Sequence, residues 1–124
     1  MRRADRAPAF QCDRHGYRRL AKIASVHALN ADLHSHSTAS DGTLGAAALA
    51  ARAQANGVEL WALTDHDELS GLPAARAAAR AAGVAFVDGI EISVTFAGMT
   101  VHIVGLGIAP ANDELAAGIA GVRA

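Results

Sequence analysis

Cysteine occurs once, at Cys12, so neither an internal disulfide nor a cysteine-built zinc finger can hold this chain together. Aromatic residues make up only 4% of it, which leaves alanine, valine, leucine and isoleucine to build the core. No apolar run approaches the roughly 18 residues of a membrane span. The charged start is not followed by the apolar stretch of a secretory signal. These absences predict a soluble, cytoplasmic chain that no membrane holds. Neither GxSxG nor GxxxxGKS/T occurs, so a nucleophile elbow and a phosphate-cradling glycine loop are both missing. What remains is 124 residues, enough for one domain with a modest core.

Charge is divided unevenly. Residues 1–30 carry seven Lys/Arg against two Asp, a balance of +5. Residues 31–124 carry four Arg against ten Asp/Glu, a balance of −6. The basic stretch could be an arm for nucleic acid or an acidic partner. No aromatic interleaving accompanies the charge, so it reads better as a solvated tail, or as translated sequence upstream of the true start. The acidic remainder suits bound cations more than bound polyanions.

From Val26 onward the pattern alternates. Val26–Leu33 reads as a strand, followed by the polar loop from His34 to Gly42. Thr43 suits a helix cap, Leu44–Ala55 are mostly strong helix formers, and Gly57 stands where a terminating glycine belongs. Val58–Leu63 is a short buried strand by composition. Ser70 is a candidate cap for a second helix, with Pro73 in its first turn and Gly83 at its end. Val84–Val87, Ile90–Phe96 and Thr100–Leu106 read as three further strands, the last two joined around Gly98. Asn112 can cap a last helix. This order predicts an α/β fold with parallel strands, whose chemistry collects at the strands' carboxyl ends.

The histidines and carboxylates fall at those ends. His34 and His36, two apart on an extended segment, project to the same side and can reach one cation. Asp41 follows a Ser/Thr-rich loop, and Asp65-His66-Asp67 follows a strand. Taken singly, each also fits an ordinary turn or a solvated loop. Glu91 opens an apolar stretch, where a lone carboxylate is expensive to bury unless a cation neutralises it. His102 lies inside the strand-like run Val101-His102-Ile103-Val104, either turned to the site or on an exposed face. His15, His27 and Cys12 have no such context and read as incidental.

Five ordered segments carry a family resemblance. They are Asp32-Leu33-His34-Ser35-His36-Ser37-Thr38, Ser40-Asp41-Gly42-Thr43, Leu63-Thr64-Asp65-His66-Asp67, Gly89-Ile90-Glu91-Ile92-Ser93 and His102-Ile103-Val104-Gly105-Leu106. In order and spacing they are similar to the first motifs of PHP (polymerase and histidinol phosphatase) domains. The branch resembled is that of stand-alone bacterial phosphoesterases acting on nucleoside 3′,5′-bisphosphates or trimming short RNA 5′ ends. The resemblance implies a distorted (β/α)7 TIM-like barrel with two or three divalent metal ions at the strand carboxyl ends. Manganese is the first expectation, with zinc, iron and magnesium as alternatives. It implies that His34 and His36 hold one metal, and that Glu91 bridges it to a second, reached by His102. Asp41 and His66 would hold a third metal or orient the phosphate, and Asp65 would steer a neighbouring imidazole. The implied substrate is a small phosphorylated nucleotide or short RNA, with no stable protein partner.

Such barrels need about 200 residues or more, and no histidine follows His102. The expectation is therefore a basic extension over 1–29 and, over 30–124, the N-terminal part of a PHP domain, truncated after about its first half. Two alternatives stand beside the bisphosphatase reading. One is a histidinol-phosphatase-like enzyme. The other is a non-catalytic metal-binding module or inactive fragment.

Overall fold

A computed structural model describes residues 28–122. Cys12, His15, His27 and nearly all of the expected basic extension lie outside the described residues. The elements run β1 (Ala31–Asp32), α1 (Ala46–Ala55), β2 (Leu60–Leu63), α2 (Leu72–Ala82), β3 (Ala85–Phe96), β4 (Met99–Leu106) and α3 (Asp113–Val122). The strands form one sheet in the order β1-β2-β3-β4. β1, β2 and β3 are parallel, with Asp32 opposite Trp61 and Trp61 opposite Phe86. This is the expected α/β arrangement up to β3. Among the described residues, no helix is long and apolar enough to cross a membrane.

The core forms where the two alanine-rich helices lie on the sheet. Ala50, Ala53, Ala75 and Ala79 are buried and pack with Trp61, Leu63, Leu72 and Val84. Small side chains on both helices let their backbones approach closely, so a few large residues fill the space that remains. Trp61 and Phe86 meet edge to face at 5.1 Å between ring centroids. The Trp61 indole N–H, which needs a partner once buried, donates to Ser35 Oγ at 2.8 Å. Ser35 Oγ donates in turn to the Ala62 carbonyl at 2.8 Å. The loop that begins the site is thereby tied to the middle of the core.

Helix ends follow local chemistry, with two departures from expectation. Gly57 and Gly83 adopt φ of 69° and 71°, the left-handed turn that lets the Val58 and Val84 amides return to the Ala53 and Ala79 carbonyls. Thr43, however, does not cap α1: the N-cap is Gly45, with no side-chain bond. The reason is tertiary, since the Leu44 carbonyl accepts the Thr38 amide and residues 43–44 close the preceding loop instead. Likewise Gly71, and not Ser70, precedes α2, and the Glu68 carboxylate takes the Leu69 and Ser70 amides. Asn112 does cap α3, its Oδ1 accepting the Leu115 amide at 2.8 Å.

The strands differ more. β1 is two residues long, against the eight expected. The expected strands 84–87 and 90–96 are a single strand of 12 residues, because Asp88-Gly89 does not break it. Gly89 is there for space: a Cβ would lie 2.7 Å from Thr64 Cγ2 and 2.9 Å from the Leu63 carbonyl. β4 returns antiparallel to β3, so the sheet is mixed and not wholly parallel. The turn between them places Ala97 and Gly98 at φ of 50° and 78°, the positive pair that a tight two-residue hairpin requires.

Candidate metal centre

Four chain segments converge beyond the carboxyl ends of β1 and β2. The 34–41 loop follows β1 and is closed by three backbone bonds: Ser40 and Gly42 amides to the Ser37 carbonyl, and Thr38 to Leu44. Gly42 allows that closure, since a Cβ there would fall 2.1 Å from the His36 carbonyl oxygen. The segment 64–67 follows β2 and continues its pairing: Glu91 donates its amide to the Asp65 carbonyl and accepts the Asp67 amide at its own. β3 supplies Glu91, and β4 supplies His102, opposite Ser93.

All six expected ligands meet there. They fall into three groups whose donor atoms lie within 4.8 Å of one another: His34, His36 and Glu91; His36, Asp41 and His66; His66, Glu91 and His102. Glu91 Oε2 stands 2.7 Å from Nε2 of both His34 and His36, and those two nitrogens are 3.1 Å apart. Oε2 is also 3.8 Å from His66 Nε2, while Oε1 is 3.7 Å from His102 Nδ1. His36 Nδ1 meets Asp41 Oδ1 at 2.7 Å, and Asp41 Oδ2 is 3.7 Å from His66 Nε2. Glu91 is 5% exposed, whereas Asp41 reaches into solvent.

This geometry has an electrostatic consequence. An ionised carboxylate can only accept, so His36 Nδ1 carries the proton in its bond to Asp41. In the neutral tautomer, His36 Nε2 then aims a lone pair at Glu91 Oε2 only 2.7 Å away. Two acceptors at that distance repel unless a second proton or a cation lies between them. His66 gives a parallel sign: its buried Nδ1 has no hydrogen-bond partner among the described residues, and its Nε2 is beyond hydrogen-bond length from both carboxylates. Two imidazoles and a shared carboxylate with unmatched lone pairs suit divalent cations with nitrogen and oxygen ligands.

The carboxylates are tuned to stay ionised. The hydrogen bond from His36 lowers the Asp41 pKa, the charges of His36 and His66 add to that, and partial desolvation opposes it. For Glu91, burial acts first and raises the pKa. The His34 hydrogen bond and the charges of His66, His34 and His36 together outweigh it, and the net direction is down.

One expectation is corrected. Asp65 does not steer an imidazole. It is 1% exposed and accepts the Ser37 amide (2.6 Å), Ser37 Oγ (2.7 Å) and Ser40 Oγ (2.6 Å). Sequence reasoning also missed Asp67, which sits at φ 50° and accepts the Ser93 amide at 2.9 Å, locking the 64–67 turn onto β3. The serines and Asp67 lay within the quoted motifs, but partners 25 to 28 residues away leave no local signal.

The 3′,5′-nucleoside bisphosphate phosphatase of Chromobacterium violaceum is 51% identical over 94 residues, covering 76% of this chain and 33% of that protein. A 5′-3′ exoribonuclease of Haemophilus influenzae is 44% identical over 86 residues, covering 69% and 31%. A Bifidobacterium adolescentis structure, put forward as a metal-dependent phosphoesterase, superposes with a TM-score of 0.71 at 29% identity, over 75% of this chain and 32% of that one. The chain thus spans about a third of the length of these relatives. The PHP domain model matches residues 32–114, a span that holds all six converging side chains. On that match, the chain belongs to the PHP domain family.

Proposed function

We propose that this chain contributes the first part of a metal-dependent phosphoesterase site. The reaction is hydrolysis of a phosphate ester on a nucleoside 3′,5′-bisphosphate or at the 5′ end of a short RNA. The observation that carries this is the sharing of one carboxylate: Glu91 belongs to two of the three groups, with Oε2 2.7 Å from His34 and His36 and Oε1 3.7 Å from His102. A shared carboxylate, with further donors beside it, holds two or three cations close together, an arrangement suited to in-line displacement at phosphorus.

His34, His36 and Glu91 would hold one ion. Glu91 would reach a second alongside His66 and His102. Asp41 would complete a third position with His66. Bound cations would supply a nucleophile from water at neutral pH and neutralise charge on the phosphoryl oxygens. The chain's own residues orient this arrangement. Asp41 holds the proton on His36 Nδ1, which leaves Nε2 free as a donor atom. Glu91, buried and held below its usual pKa, remains anionic without needing solvent. Manganese suits the mixed histidine and carboxylate set. The curled barrel of the family and a cytoplasmic setting, where nucleotides are abundant, complete the proposal.

The test is direct. Purified chain is dialysed against Mn2+, and bound metal and phosphate release from a nucleoside 3′,5′-bisphosphate are both measured. Turnover that needs metal and vanishes in Glu91→Gln supports an esterase. Bound metal with no turnover on bisphosphate or 5′-phosphorylated RNA removes the hydrolytic reading for this chain. Absence of metal binding removes the centre itself.

A further inference from the structure

Asp65 is the most deeply buried carboxylate among the described residues, and no lysine or arginine is paired with it there. A carboxylate in that position costs several kcal/mol unless its lone pairs are filled. Here they are filled by one short loop. Ser37 gives its amide and hydroxyl, and Ser40 gives its hydroxyl, at 2.6 to 2.7 Å. Ser37 is itself buried and Ser40 half-buried.

The partners have a telling position in the chain. Ser37 adjoins His36, Ser40 adjoins Asp41, and Asp65 adjoins His66. His36, Asp41 and His66 are the members of one donor group. The buried carboxylate therefore ties together the backbones that carry all three, and touches none of their side chains. By contrast, His34, Glu91 and His102 are held by β3, β4 and the chain just after β1.

Gly71 adds an independent sign. Its φ of −73° and ψ of −24° suit any residue. A Cβ there, however, would fall 2.9 Å from Asp65 Oδ2, 3.0 Å from Leu63 Cδ2 and 3.3 Å from Ser37 Oγ. The first turn of α2 is thus closed down on the carboxylate, and only the missing side chain leaves room for it.

We infer that Asp65 is a positioning residue for the His36/Asp41/His66 group: it fastens the 37–41 loop to the end of β2 and so sets that group's cation affinity. The inference rests on the metal-centre reading above. It assigns Asp65 no contact with a cation or substrate.

The experiment compares the chain with Ser40→Ala, Ser40→Thr and Gly71→Ala. Mn2+ stoichiometry is measured by equilibrium dialysis, stepwise affinities by calorimetry, and folding by circular dichroism. Ser40→Ala and Gly71→Ala are expected to weaken one class of sites by about 10- to 100-fold, the range for losing an outer partner of a metal ligand. The other groups, which share only His36 or His66 with it, weaken less, and Ser40→Thr, which keeps the hydroxyl, binds like the parent chain. Amide exchange at Ser37 and Gly42 is expected to speed up in Ser40→Ala alone of the Ser40 pair. Asp65→Asn is the severe variant. Should it fail to fold, the milder ones still decide. Lowered thermal stability with unchanged affinities in every class overturns the inference and leaves Asp65 merely structural. Equal weakening of all classes also overturns it. A parent chain that binds no Mn2+ overturns the metal-centre reading itself, a result distinct from either.

Discussion

β3 passes through two different environments. Over Ala85–Asp88 it runs parallel to β2, and Phe86 packs against the alanine-rich helices. From Gly89 onward its register partner is β4, and the apolar residues toward the hairpin's tip face water: Phe96 is 72% exposed, Met99 66% and Ile103 53%. The two stretches are similarly apolar in sequence. What separates them is cover, and cover is what converts apolar area into stability. Glu91 lies at the boundary, the last residue of β3 to pair backbone to backbone with the 64–67 segment. The centre thus sits where a firmly packed unit meets a lightly packed one.

That contrast is open to challenge, most forcefully by truncating the core. Leu72→Ala, at 2% exposure, is expected to cost about 2–5 kcal/mol. Ile103→Ala on the hairpin should cost less than about 0.5 kcal/mol. Urea denaturation midpoints compare them, and equal losses would mean that the hairpin is covered in solution. The boundary is probed next. His36→Ala should weaken Mn2+ binding more than His102→Ala, since His36 belongs to two donor groups and His102 to one. Titration calorimetry reads the difference, and the reverse order would move the centre toward the hairpin.

Glycines sharpen the comparison further. Gly89→Ala would press a methyl onto Leu63 backbone, at about 1–3 kcal/mol for overpacking. At Gly105, in the hairpin half, a Cβ would meet its nearest atoms at an ordinary 3.5 Å, so Gly105→Ala should be close to neutral. Thermal melts distinguish the two. The smallest effect expected is on acid stability. Asp41 and Glu91 titrate below their ordinary 3.8 and 4.5 in the folded chain. Groups with depressed folded pKa values add stability that is complete above the ordinary value and lost as pH falls through the depressed one. Metal-free protein should therefore melt at a steady temperature above about pH 4.5 and lower below it. Glu91→Gln should flatten that decline, whereas hairpin variants, in a stretch without Asp or Glu, should leave it alone.

Much of this organisation was legible beforehand, for a physical reason. Ligand residues must be specific chemical types at the ends of short elements, so His34, His36, Asp41, His66, Glu91 and His102 stood out against an alanine-rich background. Glycine turns at 57, 83 and 98 were legible because a left-handed backbone narrows the choice of residue. Strand direction was not. Ile90–Phe96 and Thr100–Leu106 are apolar runs that a parallel or an antiparallel partner would satisfy equally, and the pairing depends on a turn two residues long. The α1 cap was missed because the Leu44 carbonyl is claimed by Thr38 from across the loop. Asp65 was placed near the centre but given the wrong neighbours, since hydroxyl partners leave no trace in composition.

The exchange of partners along β3 has a mechanical side. At residue 91 the main chain gives its amide to Asp65 and its carbonyl to Asp67 on one edge, with Val104 opposite on the other. Asp67 Oδ1 holds the Ser93 amide as well, so any rocking of the exposed hairpin turns about residues 91–93, as a lever turns on its fulcrum. His102, opposite Ser93, sits at that fulcrum, beside the base that carries His34 and His36. Motion at the exposed tip, around Phe96 and Met99, is thereby kept from the donors around Glu91.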